Sequence, residues 1–169
     1  MFKRRTSVSR FKNFIFGVED SLVSTVGLLS GIAIADVPPK TIFLTGIVLI
    51  FVEAFSMAAG SFLAESSAEE YRDGGETKDE NKNSTVVALI MFFSYFISGF
   101  IPLSAYVLWP VGEALVYSIA FSIGALLILG TISAILSRTH ILKNALRMAL
   151  IGGAAVAVGL IAGLIVSGY

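Results

Sequence analysis

The sequence predicts an all-α, polytopic membrane protein built on five transmembrane helices. The 169-residue chain is 56% hydrophobic and 14% charged, against about 25% charged in an average soluble domain. Its mean hydropathy is +0.86. Five stretches are apolar over the ~20 residues that a helix needs to cross the hydrocarbon core. They are 14–36, 41–64, 84–108, 112–136 and 146–167.

The basic start, MFKRRTSVSRFK, precedes the first span. That span is longer than the apolar core of a signal peptide and carries two acids, so it reads as a retained helix. Asp36-Val-Pro-Pro-Lys40 ends it, since paired prolines cannot continue a helix. The second span runs into ESSAEEYRDGGETKDENKN, residues 65–83, an acidic loop and the one long polar stretch. Trp109-Pro110 separates the third and fourth spans, and 137–144 the fourth and fifth. No soluble domain is left over, so residues 1–169 read as a single membrane domain.

Basic residues set the orientation. Lys3, Arg4, Arg5, Arg10 and Lys12 precede span one; Arg72, Lys78 and Lys82 follow span two; Arg138, Lys143 and Arg147 cluster at the start of span five. With five spans all eleven fall on one face, and Lys40 alone falls on the other. The N-terminus is therefore expected in the cytoplasm.

Zero cysteines excludes disulfide scaffolds and thiolate sites. No serine–histidine–acid set, P-loop or H-E-x-x-H motif is present, and an enzyme is not expected. His140, the single histidine, falls in a turn, and Asp36 and Glu113 fall at the outer ends of spans. Neutral net charge and this composition make the bilayer, not nucleic acid, the expected partner.

The informative residues are acids inside the spans: Glu19, Asp20 and Glu53. A carboxylate in a bilayer costs a few kcal/mol and usually faces a bundle interior or an ion path. At ~1.5 Å of rise per residue, Asp20 lies about 9 Å into span one, Met57 about 10 Å into span two, and Glu53 about 16 Å. Asp20 and Met57 are thus expected level on antiparallel neighbours, with Glu53 one turn deeper. Glu53 and Met57 share a face with Ser56, Gly60, Ser61 and Ala64. Two carboxylates with a thioether suit a divalent transition metal better than Mg²⁺ or Ca²⁺. The competing reading makes Met57 core filler and Glu53 a protonated structural group. Glu19 is expected to reach the interface.

If the second helix outruns the membrane, Glu65, Glu69 and Asp73 line one face beneath this groove, with Glu70 beside them. They read either as metal capture that concentrates cations or as a solvated acidic face. Gly27 and Gly31, and Gly159 and Gly163, form G-x-x-x-G pairs that let helices approach closely. They read either as packing within one protomer or as a dimer seam beside Asp20.

DSLVSTVGLLSG at 20–31 and EAFSMAAGSFLA at 53–64 resemble the vacuolar iron transporter family, as do IPLSAY at 101–106 and the glycine-rich last span. The resemblance covers nearly the whole chain, and the SMAAG element beside a first-span aspartate is its most specific part. It implies five spans, a cytoplasmic N-terminus and a homodimeric pore lined by the first helices. It also implies export of Fe²⁺, and often Mn²⁺, from the cytoplasm in exchange for protons, with no resident cofactor. Asp20 takes the place of the family's pore aspartate and Met57 that of its pore methionine. Glu53 matches more loosely, because the usual second-span carboxylate position is Leu49 here. Ser21 replaces a usual glycine and Ser61 a frequent glutamate. The large glutamate-rich domain after span two is reduced to about twenty residues. The short loop and the absence of a targeting segment lead to the expectation of a prokaryotic cytoplasmic membrane. The rival expectations are a membrane interaction protein with an acidic docking loop, or a transporter of another small cation.

Overall fold

The computed structural model describes residues 2–73 and 81–168, and within them the side chains of 7–71 and 83–168. It is all-helical there: α1 Phe2–Ile34, α2 Pro39–Asp73, α3 Asn81–Leu108, α4 Val111–Ser137 and α5 Ile141–Ser167. All five are long and apolar enough to cross a membrane, so this is an integral multi-pass membrane protein. The helices outrun the spans expected from hydropathy. α1 starts at Phe2 rather than 14, α2 continues to Asp73 rather than 64, and α5 starts at Ile141 rather than 146. Hydropathy marks where hydrocarbon ends, whereas a helix continues as long as its residues favour it; ESSAEEYRD contains no proline or glycine to stop it.

The turns are built from a few specific residues. Asp36 takes a left-handed conformation, φ 55°, after the last turn of α1, a region that aspartate tolerates better than most residues. Pro39 opens α2, where its missing N–H costs nothing, and the Pro38 carbonyl accepts from Thr41 N–H at 2.8 Å. Arg138, φ 54°, caps α4, and Thr139 N–H reaches back to the Ala134 carbonyl at 2.9 Å. That back-bond satisfies a helix end that water would otherwise have to serve.

α1 is the hub. It packs against all four other helices, and it is the most buried span, while α2 and α5 are the least. Its neighbours follow from pairwise registers. Ser9 and Asn13 meet Glu65 and Ser61, and Leu29 meets Gly46, so α2 runs antiparallel to α1. Ser21 bonds to Tyr95 and Tyr106 to the Leu29 carbonyl, so α3 runs parallel to it. α5 is also parallel, with Gly27 against Ala155 and Gly31 against Gly159, and α4 returns antiparallel along α5 through Gly130 and Ala145. The largest apolar cluster joins α1, α2, α3 and α4 away from the N-terminal end: Leu29, Ile42, Ile50, Leu103, Tyr106 and Ala114.

The α1–α5 crossing settles where the glycine pairs go. A methyl group on Gly31 would stand 2.5 Å from the Gly159 carbonyl oxygen. One on Gly159 would overlap the Gly27 carbonyl, and one on Gly163 the Gly31 carbonyl. Both G-x-x-x-G motifs are therefore spent on each other within one chain. That surface is closed to a second copy, which removes the dimer-seam alternative for these four glycines.

Candidate functional site

The register places the acids. Asp20 is seven residues beyond Asn13, and Ala54 is seven residues before Ser61, the residue bonded to Asn13. Counting back from Leu29 and on from Gly46 gives Phe55, one residue further along α2. Asp20 therefore sits opposite Ala54 and Phe55, between the levels of Glu53 and Met57 and nearer that of Glu53. This corrects the level expected from hydropathy, which matched Asp20 with Met57. The error came from anchoring each helix at its own apolar edge; the true register is set by polar bonds in the first turns beyond it. Met57 lies one turn from Glu53 towards the N-terminal end of the bundle, opposite residue 17, and is half-buried.

Asp20 and Glu53 are both half-buried. Glu19, next along α1, is half-buried too. α2 and α5 both pack against α1 and make little or no contact with each other. On α2 the residues around Glu53 and Met57 include the exposed Phe55, Ser56, Ala59 and Gly60, while Asp20, Glu53 and Met57 are each half-buried.

α3 adds a polar residue that stands outside the set of span acids. Tyr95 is fully buried, and its hydroxyl lies 2.7 Å from Ser24 Oγ. The available signal was the stripe Met91, Tyr95, Ser98 and Pro102 on α3, a polar face within an otherwise Phe/Ile/Leu helix.

The acids beyond the membrane are held differently. Glu65 Oε2 accepts from Ser9 Oγ at 2.8 Å. Glu69, 8% exposed, accepts from Ser84 Oγ at 2.9 Å and Asn83 Nδ2 at 3.1 Å. Both therefore turn inwards and clasp α2 to α1 and to the first turn of α3. Glu70 is exposed, and the Asp73 side chain, like residues 74–80, lies outside the described residues. Among the described residues no three acids or histidines converge as a metal group within one chain. Glu69→Ala is expected to lower stability by about 1–3 kcal/mol, since it strands the buried Ser84 hydroxyl. Glu70→Ala should stay within about 0.5 kcal/mol. Thermal unfolding in detergent measures both.

Five membrane helices with ionisable groups held partway along them define a class: a multi-pass membrane protein with the kind of intramembrane acids that mark ion and proton paths. Comparison with known proteins makes this specific. The VIT family model matches residues 11–85 and 71–164, and the chain belongs to that family. It is 29% identical over 148 residues to Vacuolar iron transporter homolog 4 of Arabidopsis thaliana, covering 82% of this chain and 74% of that protein. It is 28% identical to Vacuolar iron transporter homolog 3 of the same plant over the same length and shares.

Proposed function

We propose that this protein exports divalent transition-metal cations, Fe²⁺ or Mn²⁺, from the cytoplasm in exchange for protons, working as a homodimer with its N-terminus in the cytoplasm. The family supports metal transport, and the eleven-to-one placement of basic residues supports the orientation. The observation that carries the reading is the pair Asp20 and Glu53, both half-buried and within about one turn of the same level on adjoining antiparallel helices. Carboxylates left partly uncovered in a bilayer are costly. A second copy seated beside the exposed α2 residues Phe55, Ser56, Ala59 and Gly60 covers them and brings four carboxylates and two thioethers to one axis. Carboxylates release protons as they take metal, so the same groups couple the two fluxes. Met57 then biases the site towards transition metals over Mg²⁺. The Glu65–Glu69–Glu70 face, with Asp73, is the place of first cation capture in this reading, and Glu70 is its most accessible member. The short α2–α3 connection favours residence in a prokaryotic cytoplasmic membrane.

The test is reconstitution into liposomes carrying an internal metal-sensitive dye. Mn²⁺ or Fe²⁺ should enter faster than into protein-free vesicles, and faster still with an acidic lumen when the cytoplasmic face is outward. Flux no higher than in empty vesicles would sink the proposal. Flux indifferent to the pH gradient would remove its proton-exchange part.

A further inference from the structure

We infer that the apolar groove between α1 and α3 holds one acyl chain of an anionic phospholipid, with the lipid's phosphate at Arg10. The inference goes beyond the transport reading and does not depend on it.

The groove lies along the third face of α3. One face of that helix packs on α1, where Ser21 Oγ donates to the Tyr95 carbonyl at 2.6 Å. A second packs on α2: Gly99 meets Ile50, Leu103 meets Gly46, and Phe96 stands edge-on to Phe51. The third carries Leu89, Phe93, Ile97 and Ile101, all exposed. With Phe14 and Val18 of α1 they line a groove of about 550 Å³, a size typical of ligand sites, which run about 300–1,000 Å³. A methyl group on Gly17 would overlap Ser94 Oγ, so α1 and α3 nearly touch at the floor while larger side chains stand up as walls. Ser94 and Ser98 also line the groove. Each hydroxyl donates to a carbonyl of its own helix, that of Ile90 and that of Ser94. Neither is left to ask for a polar partner, so the groove offers hydrocarbon only hydrocarbon.

Length and charge fit a single lipid. From Val86 to Ile101 the α3 wall runs about 22 Å, enough for a chain crossing one leaflet of a hydrocarbon core ~30 Å thick. The apolar part of α1, Ser7–Ile34, is about 42 Å long and outruns that core, so its first turns stand among headgroups. Arg10, Phe14 and Val18 follow i, i+4, i+8 on one face of α1, and Arg10 is exposed. No acid occurs in α1 before Glu19. A chain lying against Phe14 and Val18 therefore brings its phosphate to a guanidinium, whose planar fork suits phosphate oxygens. A second copy of this chain fits less well. Helices associate in a bilayer through small residues and interhelical hydrogen bonds, whereas this rim is Phe, Leu and Ile and its hydroxyls are already used. A flexible chain follows such a rim.

The experiment puts a tryptophan in the groove, Phe93→Trp, or on exposed α5, Val158→Trp. Trp109, the single native tryptophan, is changed to Phe in both. The full chain is reconstituted into phosphatidylcholine vesicles. Fluorescence quenching by phosphatidylglycerol with brominated chains then gives its affinity relative to phosphatidylcholine at each position. Phosphatidylglycerol should be preferred about five-fold at position 93, the effect of one basic residue on an anionic headgroup, and not at all at position 158. Arg10→Gln should abolish that preference, while quenching by brominated phosphatidylcholine and the unfolding temperature stay as they were. Should Phe93→Trp misfold, Ile97→Trp, also exposed, reads the same groove. Equal affinities at the two positions would make this ordinary lipid contact and overturn the inference, as would a preference that survives Arg10→Gln. Quenching by neither lipid at position 93 would mean that another chain covers the groove, and overturns it too. Metal flux enters none of these readouts, so failure here leaves the transport reading standing.

Discussion

Gly159→Leu should prevent this bundle from assembling, with a loss of about 3 kcal/mol or more, the upper range for overpacking a tight contact. The side chain would have to begin inside the Gly27 carbonyl, and no rotamer can move its first atom. Backbone on both sides leaves nothing flexible to yield, so α1 and α5 must separate. Separation exposes no new water-repelling surface, because lipid is as apolar as the helix faces; what it costs is close packing. Gly31→Val and Gly163→Leu should behave alike. Gly124→Ala is the control: a Cβ there meets nothing within 4 Å, and its effect should stay within about 0.5 kcal/mol. Unfolding temperature and the monodisperse fraction on size-exclusion chromatography read the difference. A Gly159→Leu protein that melts like wild type would mean that the two helices do not cross here.

The sequence showed the helices because crossing a bilayer leaves a compositional mark that no other structure shares. The turns were readable for a similar reason: Asp36-Val-Pro-Pro and Trp109-Pro110 cannot lie mid-helix together with their neighbours. Register was not readable. Whether Asp20 faces Glu53 or Met57 depends on a one-turn slide of α2 along α1, which changes no residue's hydropathy. It is fixed by Ser9, Asn13, Ser61 and Glu65, ordinary polar residues whose partners lie about fifty positions away. A tyrosine in a membrane helix usually marks the lipid interface; the burial of Tyr95 and its bond to Ser24 show that this one faces inwards. The glycine pairs were visible as close-approach motifs, but spacing alone does not say whether the approaching helix belongs to the same chain.

Asp20→Ala should lower metal flux at least about 100-fold, because even groups one shell removed from a bound metal are worth 10–100-fold. In the proposed homodimer each substitution deletes two ligands at once, so the effect of a single change is doubled at the axis. Glu53→Gln should fall almost as far: the amide keeps the shape but neither charge nor exchangeable proton. Stability should move the other way. A carboxyl group held inside a bilayer is itself costly, and deleting Asp20 removes that cost. The unfolding temperature of Asp20→Ala should therefore hold or rise while flux collapses. That opposition separates the transporter from a membrane interaction protein in which the acids serve packing, since there the same change would alter stability and leave cation flux at background throughout. Met57→Leu completes the argument. It preserves volume and both carboxylates, so flux should persist, but the ratio of Mn²⁺ to Mg²⁺ transport should fall as the soft ligand is lost. Competition between the two ions for the same vesicles measures that ratio directly, and a ratio unchanged from wild type would return Met57 to the role of an apolar filler.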